Sequence, residues 1–96
     1  MRKLLPEEVE LIGKWIPKGD SVIPDDVCER IKWLLSTHLQ KIGYSKKSGA
    51  WETLYQDPDD GRFWILIYPQ SEMHGGGPPA LKCIQEGLAK ADYDFG

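Results

Sequence analysis

The sequence predicts an α+β fold: one main amphipathic helix packed on a small antiparallel β-sheet meander, closed by a short C-terminal helix or turn. Three observations carry this expectation. Apolar residues recur at helical spacing between Val27 and Ile42, strand-like segments gather in the second half of the chain, and dense turn formers separate them. Helical and extended patterns are therefore segregated rather than alternating, as a meander with a packed helix requires.

The first twenty residues read two ways. Pro6 followed by Glu7 and Glu8 suits a helix N-terminus, while Leu11 to Trp15 suits a strand equally well, so residues 9–16 stay open between the two. The main helix begins at Pro24-Asp25-Asp26, where an aspartate caps free N–H groups. Val27, Cys28, Ile31, Leu34, Leu35, Leu39 and Ile42 then fall within an arc of ~140° at 100° per residue, and Gly43 is read as the C-cap. Trp33 breaks this stripe, pointing to the opposite face among Glu29, Ser36, Thr37 and Gln40. An exposed tryptophan there would suit a partner-binding anchor; burial beneath Trp15 and the N-terminal arm is the preferred reading.

A loop from Tyr44 to Gly49 leads to a half-buried strand, Trp51 to Gln56, in which aromatic and β-branched residues alternate with polar ones. Asp57-Pro58-Asp59-Asp60-Gly61 is a hairpin turn, with Gly61 free to take positive φ. Arg62 to Tyr68 is apolar on both faces, which marks a central strand covered on both sides. Leu81 to Ile84 suits a third strand after a long loop, and Gln85 to Tyr93 suits a short helix weakened by Gly87.

Ninety-six residues make a single domain, 1–96, with one modest core. The longest apolar run, Phe63 to Tyr68, is far short of the ~20 residues needed to cross a bilayer. Arg2 and Lys3 precede only Leu4 and Leu5 before Pro6, so no export signal is read and a cytoplasmic location is expected. With 12 basic against 15 acidic residues the net charge is −3, which argues against nucleic-acid binding and favours a basic protein partner. Cys28 and Cys83 lack Cys-x-x-Cys or His spacing and read as small buried hydrophobes; no metal site and no cofactor are expected.

The stretch Pro69 to Pro79 contains His74-Gly75-Gly76-Gly77-Pro78-Pro79, which invites comparison with the oxyanion loop of esterases. No Gly-x-Ser-x-Gly elbow accompanies it, so a hydrolase is rejected. The glycines and prolines read either as a crossover into the next strand or as a rigid loop presenting Glu72 and His74. His38, on the apolar side of the helix, reads as a hydrogen-bonded core or boundary residue. A hydrolytic pair among Asp57, Asp59, Asp60 and Glu72 is chemically available, but clustered carboxylates in a Pro-Gly turn read as solvated turn residues. No catalytic set emerges, and the residues alone support a binding or structural domain.

Trp51 to Tyr55, Asp57 to Trp64, Tyr68 to Glu72 and His74 to Pro79 together resemble the immunity protein 27 family of bacterial polymorphic toxin systems. Leu11 to Trp15 and Asp26 to Ile31 are similar to that pattern too. The chain departs from it at Ile65, where an acidic residue is frequent, and matches loosely beyond Ala89. The resemblance implies a non-catalytic, cytoplasmic antidote that binds a cognate toxin domain, a basic nuclease being one candidate, without contacting nucleic acid or membrane. The expected partner-binding residues are Asp59, Asp60, Arg62, Trp64, Glu72 and His74, with Trp33 as an aromatic anchor. Gly61, Gly75, Gly76, Gly77, Pro78 and Pro79 are expected to shape the two loops; Arg62 has the alternative of pairing with an aspartate across the turn. The rival expectation is a small structural or regulatory module that pairs through a free sheet edge.

Overall fold

The computed structural model describes residues 2–47, 49–70 and 77–95. Along them run β1 (Glu10–Ile12), β2 (Trp15–Lys18), β3 (Ser21–Pro24), α1 (Asp26–Thr37), β4 (Gln40–Ser45), β5 (Gly49–Gln56), β6 (Phe63–Ile67), β7 (Ala80–Ile84) and α2 (Glu86–Asp92). Five strands form one antiparallel sheet in the order β1-β7-β6-β5-β4, and β2 pairs with β3 as a separate ribbon. The α+β meander expected from the sequence is therefore the observed architecture, with both helices packed on an open sheet.

The two helices lie on opposite faces. Ile31 and Leu34 of α1 pack with Leu4, Leu11, Trp64, Leu66 and Leu81 in one cluster. Because side chains alternate along a strand, Phe63 of β6 turns the other way and joins Leu54, Ala89 and Tyr93 beneath α2. That double coverage is why β6 reads as apolar throughout, and β6 is the middle strand. Burying a side chain such as Leu34, with no exposed surface, contributes roughly 2–3 kcal/mol relative to exposure.

The main helix is shorter than its periodicity predicts. Asp25 caps it as expected, its side chain accepting the Cys28 N–H at 2.8 Å. It ends at Thr37 with His38 as C-cap, so Gly43 is not a helix terminator. Leu39 still faces the α1 cluster, but Ile42 packs with the cluster on the opposite face of the sheet. The apparent continuation of the apolar stripe is thus a link and the strand after it, facing two different cores. Gly43 serves a different purpose within β4: a Cβ there would overlap the carbonyl oxygen of Asp94. Residues after α2 run along that outer edge, with Lys46 N–H donating to Asp92 O at 2.9 Å and Asp94 N–H to Tyr44 O at 3.0 Å. The tail so covers one exposed edge of the sheet.

The ambiguity near the N-terminus resolves as strand. β1 pairs with β7, and β2 and β3 join through Gly19 and Asp20, with Lys18 opposite Ser21. Gly19 has φ +61°, as the first central residue of a type II′ hairpin turn requires.

Candidate partner-binding surface

The β5–β6 turn is built around a buried carboxylate. Asp57 is only 1% exposed, so it is not the solvated turn residue its neighbourhood suggests. Its Oδ1 accepts the Asp59 N–H at 2.8 Å and faces His38 Nε2 at 3.0 Å, which ties the turn to the end of α1. The backbone closes the loop through Asp57 N–H to Arg62 O at 2.9 Å and Gly61 N–H to Asp57 O at 2.8 Å. Gly61 takes φ +77°, a conformation costly for residues with a Cβ. His38 is the hydrogen-bonded boundary histidine its position suggests.

Asp60 and Arg62 form the second half of the turn. Asp60 accepts the Arg62 N–H at 2.9 Å and its Nε at 2.7 Å. Burial opposes the Asp60 charge, yet these bonds outweigh it and hold the carboxyl below the usual carboxylate range. The remaining Arg62 nitrogens turn inward: Nη1 donates to Glu8 O at 2.6 Å and Nη2 to Leu5 O at 3.0 Å. Its guanidinium also lies 5.1 Å from the Trp64 ring centroid, a cation–π arrangement. The pairing of Arg62 with an aspartate across the turn is thus present, and Arg62 additionally straps down the N-terminal arm.

Trp64 is fully buried, so it supports Arg62 from beneath and has no surface to offer a partner directly. Its Nε1 is the one fully buried side-chain polar atom among the described residues without a hydrogen-bond partner. What projects from the tip is Asp59, whose side chain is 57% exposed and lies 3.3 Å from Lys3 Nζ, and Asp60, 37% exposed.

A second clamp stabilises the arm nearby. Glu8 takes both terminal nitrogens of Arg30 at 2.7 Å, and Arg30 also donates to Lys3 O at 2.7 Å and Arg2 O at 3.2 Å. The Arg30 hydrogen bonds hold the Glu8 carboxyl down at about 2. Sequence reasoning did not find this pair, because no local pattern links positions 22 residues apart.

The expected site residues do not converge. Asp59, Asp60 and Arg62 sit at one end of β6, whereas Pro78 and Pro79 lie beyond the other. Five residues of strand put the two ends roughly 17 Å apart. Glu72, His74, Gly75 and Gly76 lie outside the described residues. Gly77 has φ +75°, and a Cβ on it would overlap the Gln70 carbonyl oxygen; Pro78 is buried, and Pro79 O accepts the Gly13 N–H at 2.9 Å. The exit of the glycine-rich loop is accordingly packed against the fold. Trp33 is half-buried, packed against the α1 cluster. Trp51 is the more accessible aromatic at 63% exposure, its ring meeting Tyr68 edge-on at 6.5 Å between centroids. Alternation places Trp51 on the face of buried Thr53 and of Tyr55, so no sequence signal marked its exposure.

A protein-family comparison decides the identity. The model of the family described as Immunity protein 27 matches residues 17–85. The chain belongs to this family. No curated protein and no solved structure is matched. As a member of the Immunity protein 27 family, the chain neutralises a cognate toxin domain of a polymorphic toxin system, by binding and without catalysis. The match takes in α1 and β4–β7 with the turn Asp57 to Arg62, while the clamped arm and α2 lie outside it. No described helix is long and apolar enough to cross a membrane.

Proposed function

We propose that this immunity protein captures its toxin in the cytoplasm through the acidic β5–β6 turn, and that the toxin presents a basic surface of the kind nucleases use to hold nucleic acid. The observation that supports the reading is the pair of partly exposed carboxylates, Asp59 and Asp60, on a turn fixed by internal hydrogen bonds. A fixed acidic tip gives a basic partner a preorganised target and speeds encounter electrostatically. Glu72 and His74, which follow β6 in the sequence, are proposed as a second contact, and Trp33 as an aromatic contact on α1.

Asp59→Lys tests the tip, since Asp59 is exposed and its loss leaves the Arg62 contacts in place. Association with the co-encoded toxin is expected to slow at least tenfold and to lose part of its salt dependence. Unchanged association kinetics would remove the tip from the interface. Growth rescue by the wild-type chain against a nuclease toxin, and failure of rescue when the chain is exported, test the remaining parts of the reading.

A further inference from the structure

We propose that His38, Asp57 and Asp59 bind one divalent transition-metal ion, zinc being the ion their geometry suits. One ligand atom from each residue lies within 4.8 Å of the others. His38 Nε2 is 3.0 Å from Asp57 Oδ1 and 3.7 Å from Asp59 Oδ2. Ligands held about 2.0–2.1 Å from a tetrahedral zinc ion stand roughly 3.3 Å apart, between those two separations. An imidazole nitrogen with two carboxylate oxygens is a donor set zinc accepts, and a water would fill the fourth position on the exposed side of Asp59.

The electrostatics of the place call independently for a cation. His38 is the C-cap of α1, so the ligand atoms gather at the negative end of a twelve-residue helix, and no basic residue stands in its last turn. Asp57 adds a carboxylate that is 1% exposed, at a point where negative charge is already disfavoured. Two other cations lie nearby: the Arg62 guanidinium, which feels the Asp57 charge across the turn, and Lys3. Lys3 reaches Asp59 alone, through a side chain that is 59% exposed. The Asp59 N–H, donating to Asp57 Oδ1 at 2.8 Å, holds that carboxylate in orientation as an outer-shell partner does. A bound ion would pin the hairpin turn to the end of α1, joining residues 38 and 57 through metal rather than through one hydrogen bond. This inference stands on the trio's geometry; it shares Asp59 with the proposed toxin contact, and titration of the chain alone tests it apart from the toxin.

Calorimetric titration of the purified, metal-stripped chain with zinc chloride is the test, read together with the imidazole nitrogen shifts of His38 by NMR. The expected result is one ion per chain, a shift of the His38 nitrogen signals on binding, and at least tenfold weaker binding in Asp59→Asn and in His38→Gln. Asp59→Asn changes an exposed side chain and leaves the fold intact. Absence of stoichiometric binding would overturn the proposal, leaving a hydrogen-bonded His–Asp pair only. So would binding that Asp59→Asn leaves unaltered or that fails to move the His38 signals.

Discussion

Arg62 reaches 54 positions back along the chain to donate from Nη1 to the carbonyl oxygen of Glu8 at 2.6 Å. The same guanidinium holds Asp60 within its own turn and Leu5 O in the arm, so one side chain joins the central strand to the N-terminus. Replacing it by lysine keeps the charge but loses the planar fork that serves three acceptors at once. Arg62→Lys is expected to lower stability by about 2 kcal/mol in urea unfolding and to expose residues 2–8 to limited proteolysis. An unchanged unfolding midpoint would show that the strap carries no stability.

The Glu8–Arg30 pair predicts an acid dependence with a definite sign. Arg30 holds the folded-state Glu8 carboxyl at about 2, below its ordinary value of 4.5. The folded chain therefore binds this proton less readily than the unfolded chain, and stability falls as pH drops from about 4.5 towards 2. Above that window the contribution is fully present. Urea midpoints measured across the window should decline more steeply for the wild type than for Glu8→Gln, which has no proton to take up there.

Two glycines should respond oppositely to alanine. At Gly43 the new methyl would overlap the Asp94 carbonyl, so the C-terminal tail must leave the edge of β4. Gly43→Ala is expected to cost on the order of 2 kcal/mol, with amide exchange rising at Lys46 and Asp94. Gly87 sits in α2 with open space around it, and Gly87→Ala should stabilise by about 0.5–1 kcal/mol through helix propensity. Thermal unfolding of the two variants side by side checks both signs.

Tyr93 gives an alkaline counterpart. Burial, and then its hydrogen bond to Glu52 at 2.8 Å, push the phenol well above its ordinary value. The folded state keeps the proton that the unfolded state releases near pH 10, so stability should decline as pH rises beyond that point. Tyr93→Phe should cost about 1 kcal/mol at neutral pH and flatten the alkaline decline, as read from unfolding midpoints.

The sheet was legible where pattern and burial coincide. β6 reads as central because both its faces are apolar, and each of those faces meets a different core. The same rule misled at Leu39 and Ile42, where helical spacing continued by coincidence past the helix end: Leu39 precedes β4 and Ile42 lies within it, and they face opposite cores. The β2–β3 ribbon escaped notice because Pro17 and Pro24 lie within it and its surface is largely exposed, so neither composition nor alternation marks it. The Gly19-Asp20 turn was its available signal.

At the candidate site, the turn from Asp57 to Arg62 was found from its own residues, since a hairpin is local chemistry. Its supports were not. Glu8, Arg30 and His38 matter through partners supplied by other elements, and Asp57 is buried with the end of α1 against it. Sequence spacing carries no record of such meetings.

The arm from Arg2 to Glu8 is gripped by its main chain. Arg30 and Arg62 together contact the carbonyl oxygens of Arg2, Lys3, Leu5 and Glu8, groups that every amino acid possesses. Apart from Leu4, which is buried, Glu8, which answers Arg30, and Lys3, which pairs with Asp59, the attachment asks little of the side chains it holds. Such a segment is a permissive margin: its outward residues are open to exchange while its path stays fixed. A lineage whose opponents keep changing could rewrite the decoration along this border without renegotiating how the chain folds.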